Sequence, residues 1–156
     1  MICTAPKALD ENDWRDALRA GDVVVYAWPL IDPAPGEVPK HRPSLVLAIH
    51  EIDGVRHAEI VFGTGQLRRR NPRDVILDDP GVMRCAGVRK PTRFEFGRRL
   101  TVRLDDAGFA VSAALNTAVL GRMPIPVAHP RGFHLCRRRP RDRARIRAVA
   151  PQPTRA

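Results

Sequence analysis

Apolar and polar positions alternate along much of this chain in short runs, the period of β-strands rather than helices. "GDVVVYAWP", residues 21–29, is β-branched and aromatic and is bounded by Gly21 and Pro29, which predicts a first strand. In "SLVLAIHEIDG", Leu45, Leu47 and Ile49 share one face and Val46, Ala48 and His50 the other. Asp53-Gly54 then predicts a hairpin turn. "RHAEIVFGTG" sets Ala58, Ile60 and Phe62 against His57, Glu59 and Val61 and stops at Gly63-Thr64-Gly65. "DVILDD", residues 74–79, predicts a short strand. "TRFEFGRRLTVRL", residues 92–104, predicts one or two strands bent near Gly97, with Leu100, Val102 and Leu104 facing one way. "FHLC", residues 133–136, predicts a last strand.

Two segments have helical character. Residues 10–20 offer Asp10 as an N-cap, acidic residues in the first turn and Gly21 as a stop, with Trp14, Ala17 and Leu18 on one face. Residues 112–120 predict a short helix capped by Ser112 and ended by Gly121. "PGVMRCAGVRKP", residues 80–91, reads as turn-rich. Between the first two strands, prolines at 29, 33, 35, 39 and 43 exclude a helix or central strand and predict a stiffened loop. The expected fold class is therefore mainly β (β+α): a small, strongly bent barrel with an N-terminal helix and one short C-terminal helix. The organisation expected is an N-terminal extension over 1–20, a barrel domain over 21–136, and a basic, disordered tail over 137–156.

Charge changes the picture. The chain of 156 residues has 27 basic against 17 acidic side chains and a formal net charge of +10. Only Lys7, Lys40 and Lys90 are lysine; the other basic residues are arginine. A field of this sign favours polyanions, and arginine binds phosphate bidentately. The bias is also what a GC-rich coding sequence produces. Residues 137–147 alone hold seven arginines against one aspartate, a source of salt-sensitive, non-specific affinity. No apolar run approaches the ~18 residues of a membrane span, and no secretory signal is visible at the N-terminus. Cys3, Cys85 and Cys136 are odd in number and far apart, which suggests free thiols in a reducing compartment, hence the cytoplasm, and supplies no zinc spacing.

Candidate chemistry gathers around two segments. In "KHRPSLVL" the proline restrains Arg42 to extended geometry at the mouth of a strand, beside Lys40 and His41. In "GTGQLRRR" the Thr64 hydroxyl lies between two glycines, with Gln66, Arg68 and Arg69 following. Each has a plainer reading: Arg42 as the ion-pair partner of Glu37 or Glu59, Thr64 as a turn residue. Thr92 and Arg93 are further polar candidates, and Phe94 is either a base-stacking ring or core. His50 and His57 flank the hairpin turn, but two histidines make a poor metal case. His134 and Cys136 lack an acidic third member for a thiol nucleophile.

"GDVVVYAWP", a Pro/Gly-rich loop, "KHRPSLVL" and a strand ending "GTGQ" occur in the order and spacing that resemble the PemK/MazF family of bacterial toxins. The resemblance covers roughly residues 21–104, and "PTRFEF" is similar to a later strand whose polar residues approach the active site. It implies an SH3-like barrel, a homodimer, and a growth-inhibiting toxin that hydrolyses single-stranded RNA as a metal-independent endoribonuclease. A cognate antitoxin would block the RNA groove. No cofactor and no metal are implied, and no membrane. By this resemblance Arg42 and Thr64 are the catalytic pair. Lys40, His41, Gln66, Arg68, Arg69, Thr92 and Arg93 would bind RNA. The 2′-OH would attack the adjacent phosphorus and leave a 2′,3′-cyclic phosphate and a 5′-OH. The resemblance implies a proton-transfer role for Arg42; because arginine is a poor proton acceptor and His41 titrates in a suitable range, His41 is the lesser candidate for that role. The other function for such a barrel is a non-catalytic module that binds nucleic acid or DNA gyrase.

Overall fold

The computed structural model describes residues 14–68 and 71–124. It is mainly β, a single antiparallel sheet of six strands that curls into a half-barrel, with two short helices. The strands are β1 (Asp22–Ala27), β2 (His41–Ile52), β3 (Val55–Thr64), β4 (Val75–Leu77), β5 (Thr92–Arg103) and β6 (Val119–Arg122). Their order across the sheet is β4-β5-β3-β2-β1-β6.

Both faces of the curled sheet are apolar, and each carries a core. Val24, Tyr26, Val46, Ala58, Ile60 and Val102 belong to the first, together with Trp14, Leu18 and Phe109 from outside the sheet. Val23, Leu45, Val61, Leu77 and Phe94 belong to the second, closed by Val82 and Ala86. Val23 and Val24 are adjacent and both fully buried, in different cores. That explains the continuous apolar run in β1: a strand covered on both sides does not alternate in polarity.

The β2–β3 hairpin forms as expected, with Asp53 and Gly54 both at positive φ, 51° and 73°, as a turn of the hairpin-favouring hand requires. The alternation in β2 breaks once. A bulge between Val46 and Ala48 shifts the register, so Leu47 joins the second core while Ile49 packs on the first. Leu45, Leu47 and Ile49 therefore do not share a face. The bend expected near Gly97 is a larger irregularity. Phe62 pairs with Glu95 and Val61 with Arg99, which leaves Phe96, Gly97 and Arg98 outside the ladder.

Helix positions differ from expectation. The first helix, α1, is Trp14–Ala17; Trp14 and Leu18 are buried as expected, but Ala17 is exposed. Residues 112–120 form no helix. Ser112 bridges Thr117 around a turn with Asn116 at φ 48°, and Val119 begins β6. The Val25 amide donates to the Ala118 carbonyl, so pairing with β1 claims this segment. A helix forms instead where turns were expected, α2 (Pro80–Ala86). Asp79 caps it by accepting from the Gly81 and Val82 amides, and Gly87 ends it at φ 71°. Cys85 on α2 is disulfide-bonded, which corrects the expectation of free thiols and removes that argument for a reducing compartment. Cys3, Cys136, the "FHLC" segment and the arginine-rich tail lie outside the described residues. Among the described residues no helix is long and apolar enough to cross a membrane.

Candidate functional site

The start of β2, the end of β3 and the start of β5 lie at one end of the sheet, because these neighbours are antiparallel. Most of the residues expected at the site come together there. Lys40 and His41 are exposed where β2 begins, and Gln66 and Arg68 are exposed just past β3. Arg69 lies outside the described residues.

Arg42 and Thr64 occupy neighbouring strands. The β2–β3 register runs Leu45 to Val61 and Ser44 to Phe62; carried two residues further, it sets Arg42 level with Thr64. The backbones stay close over that interval. A methyl group at Gly63 would fall 2.3 Å from the Pro43 carbonyl oxygen and 3.0 Å from the Phe94 ring, so only glycine lets the two strands meet here. On the other flank, Thr64 pairs with Arg93 of β5. Arg42 pairs with Tyr26, a first-core residue, and Phe62 packs on that same core, so Arg42, Phe62 and Thr64 share one face by strand alternation. His41 pairs with Ala27 and points to the other face.

Arg42 is half-buried and meets neither Glu37 nor Glu59. Glu37 accepts from the Ala34 amide, and Glu59 is taken by Arg99 at 3.1 Å and faces His50 at 3.4 Å. The Arg42 backbone is tied down. Its carbonyl accepts from the Ser44 hydroxyl at 3.1 Å, and Ser44 Oγ accepts from the Trp28 indole N–H at 2.8 Å. Thr64 is 7% exposed, and its Oγ1 accepts from the Gln66 amide at 3.1 Å. That bond leaves the hydroxyl proton free to donate.

Thr92 and Arg93 are placed differently from surface contacts. Thr92 is buried and donates to the Lys90 carbonyl. Arg93 is 3% exposed and grips Asp74 at 3.0 Å and Glu95 with its other amino group. Its Nε has no partner among the described residues. Phe94 is fully buried in the second core, so it stacks no base.

Three contributors at this end were not singled out from the sequence. Asp74 holds Arg93 and also accepts from the Phe96 amide at 3.2 Å. Glu95 sits two residues from Arg93 on the same strand face, opposite Phe62. The "TRFEF" alternation contained this signal, since residues two apart on a strand share a side. Arg98 lies 3.9 Å from the Phe62 ring centroid and 5.4 Å from that of Trp28. Its position depends on the irregularity in β5, which alternation does not encode.

The arrangement offers donors and a carboxylate on one face: a guanidinium at Arg42, a hydroxyl at Thr64 and Glu95 beside them. Among the described residues no group of three His, Cys, Asp or Glu is disposed to hold a metal ion. No protein-family model matches this chain, and no curated protein matches it.

Proposed function

We propose that the protein is an endoribonuclease of the PemK/MazF type, the toxin half of a toxin–antitoxin pair, acting on single-stranded RNA without a metal. The observation that supports this most is the register that sets Arg42 level with Thr64 on one face. Cleavage by the internal 2′-OH needs charge stabilisation at the phosphorane, a proton acceptor for the 2′ oxygen, and protonation of the leaving 5′ oxygen. The Arg42 fork donates to the non-bridging oxygens, and the Thr64 hydroxyl adds a second donor. Glu95, held by Arg93, takes the 2′ proton as the new O2′–P bond forms. The P–O5′ bond breaks, the proton that Glu95 took passes on to the leaving 5′ oxygen, and a 2′,3′-cyclic phosphate and a 5′-OH remain. His41, on the opposite face, is the weaker acceptor. The same reading includes a homodimer and an antitoxin that covers this groove.

The test is incubation of purified protein with single-stranded RNA in EDTA, followed by mapping of product ends. Cyclic phosphate and 5′-OH ends are expected, with at least a hundred-fold loss in Arg42→Ala, the size of effect seen when a transition-state donor is removed. Folded Arg42→Ala and Thr64→Ala proteins that cut like the parent would refute the site. Tight RNA retention with no product would point to the non-catalytic binding module instead.

A further inference from the structure

We infer that Arg98 is a phosphate clamp: its guanidinium binds the RNA phosphodiester next to the one that is cleaved. The inference rests on the ribonuclease reading of this face.

The strand arginines divide into two groups. Arg56, Arg93, Arg99, Arg103 and Arg122 each meet a carboxylate, at Asp16, Asp74, Glu59, Asp105 and Asp22. Arg42 and Arg98 meet none among the described residues. Arg98 makes no hydrogen bond there either; what holds it is aromatic. Its guanidinium carbon is 3.9 Å from the Phe62 centroid and 5.4 Å from that of Trp28. Those rings are themselves edge-to-face at 5.1 Å and 80°, and the Trp28 indole is fixed by its bond to Ser44. A cation over aromatic rings is attracted by their faces while its N–H donors stay unused. Arg98 is therefore oriented without its fork being engaged, and a planar fork with free edges matches two oxygens of a phosphate.

The backbone explains why Arg98 reaches this place. The β3–β5 register jumps from Phe62 against Glu95 to Val61 against Arg99, so β5 bulges across residues 96–98 and the Arg98 guanidinium lies over Phe62 of β3. Phe62 beneath it precedes Thr64 by two residues on the same face, about 7 Å along the strand. Arg98 thus stands one step inward from the row of Arg42 and Thr64. An RNA strand whose scissile phosphate meets that row brings its neighbouring phosphate to Arg98.

The test measures binding apart from cleavage, with a 2′-O-methyl oligonucleotide that cannot be cut. Arg98→Ala is expected to weaken binding about ten-fold, the scale of one charge-assisted contact. The slope of log affinity against log salt should fall by about 0.7, as for one lost contact to a single strand. Arg98→Lys keeps the charge, so its slope should stay at the parent value while affinity falls by less. A scan of single methylphosphonates should find one phosphate, beside the cleavage position, whose neutralisation weakens the parent but not Arg98→Ala. If Arg98→Ala does not fold, the scan compares the parent with Arg98→Lys, and the penalty at that one phosphate should shrink. Unchanged affinity and slope, or equal penalties at every phosphate in parent and variant, would overturn the clamp. A parent that shows the coupled phosphate but never cuts unmodified RNA supports the contact and refutes the ribonuclease. A parent that binds no RNA refutes both.

Discussion

Removal of one carboxylate tests how the candidate site is supported. In Asp74→Ala, Arg93 loses the partner that lies 3.0 Å away, and the side chains of both residues are nearly inaccessible, at 4% and 3%. Two interactions go together, because Asp74 also accepts from the Phe96 amide at 3.2 Å. The Arg93 Nε already has no partner among the described residues, so the guanidinium has little left to compensate with. Glu95 remains, but its side chain is 28% exposed and more screened. Breaking a buried ion pair from one side costs about 3–5 kcal/mol, because a charge is stranded in low dielectric. For a chain of this size that is a fall in Tm of roughly 10 °C. Urea unfolding followed by the two tryptophans, Trp14 and Trp28, reads the change directly. The double variant Asp74→Leu/Arg93→Met removes both charges and should regain part of the loss, the bond from the Phe96 amide to Asp74 staying absent. An Asp74→Ala protein within about 1 kcal/mol of the parent would refute the reasoning. It would mean that Arg93 escapes to solvent and that the β5 end of the site is not anchored as described.

Two further outcomes are expected. Gly63→Ala, with its Cβ driven against the Pro43 carbonyl and the Phe94 ring, should cost about 1–3 kcal/mol and part Arg42 from Thr64; a variant that keeps parent stability in urea shows that β2 and β3 do not meet so closely. Tyr26 is the single tyrosine, and burial together with its 3.1 Å bond to Asp106 pushes its phenol up to about 12. The folded state then favours the neutral phenol, so this contribution is complete below about pH 10 and is lost as pH rises through about 12. Absorbance titration at alkaline pH should show the single midpoint well above 10, and lower in Asp106→Asn; a midpoint at the ordinary phenol value would contradict the burial.

The strands were legible in the chain because their signal is local. The β-branched run at Val23–Tyr26, the Asp53-Gly54 turn and the alternation of Ala58, Ile60 and Phe62 depend on neighbours within a few residues, and each stands where expected. The short helix α2 was hidden by "PG" at its start, although Asp79 before Pro80 and Gly87 after Ala86 are a cap and a stop. Residues 112–120 satisfied helix propensity, yet the hydrogen bonds offered by the edge of β1 outweigh so weak a preference.

The site divides along the same line. From the sequence alone came the candidates Arg42 and Thr64, and the extended geometry that Pro43 imposes. What tertiary structure decided is which arginines remain free. Arg93 and Arg98 look alike in the chain, five residues apart, but one is buried against Asp74 and the other is half-buried on the Phe62 ring with no carboxylate partner among the described residues. Alternation sets the side of a strand on which a residue points. Whether a charge meets a counter-charge depends on what other strands bring opposite, and on a bulge that no local pattern announces.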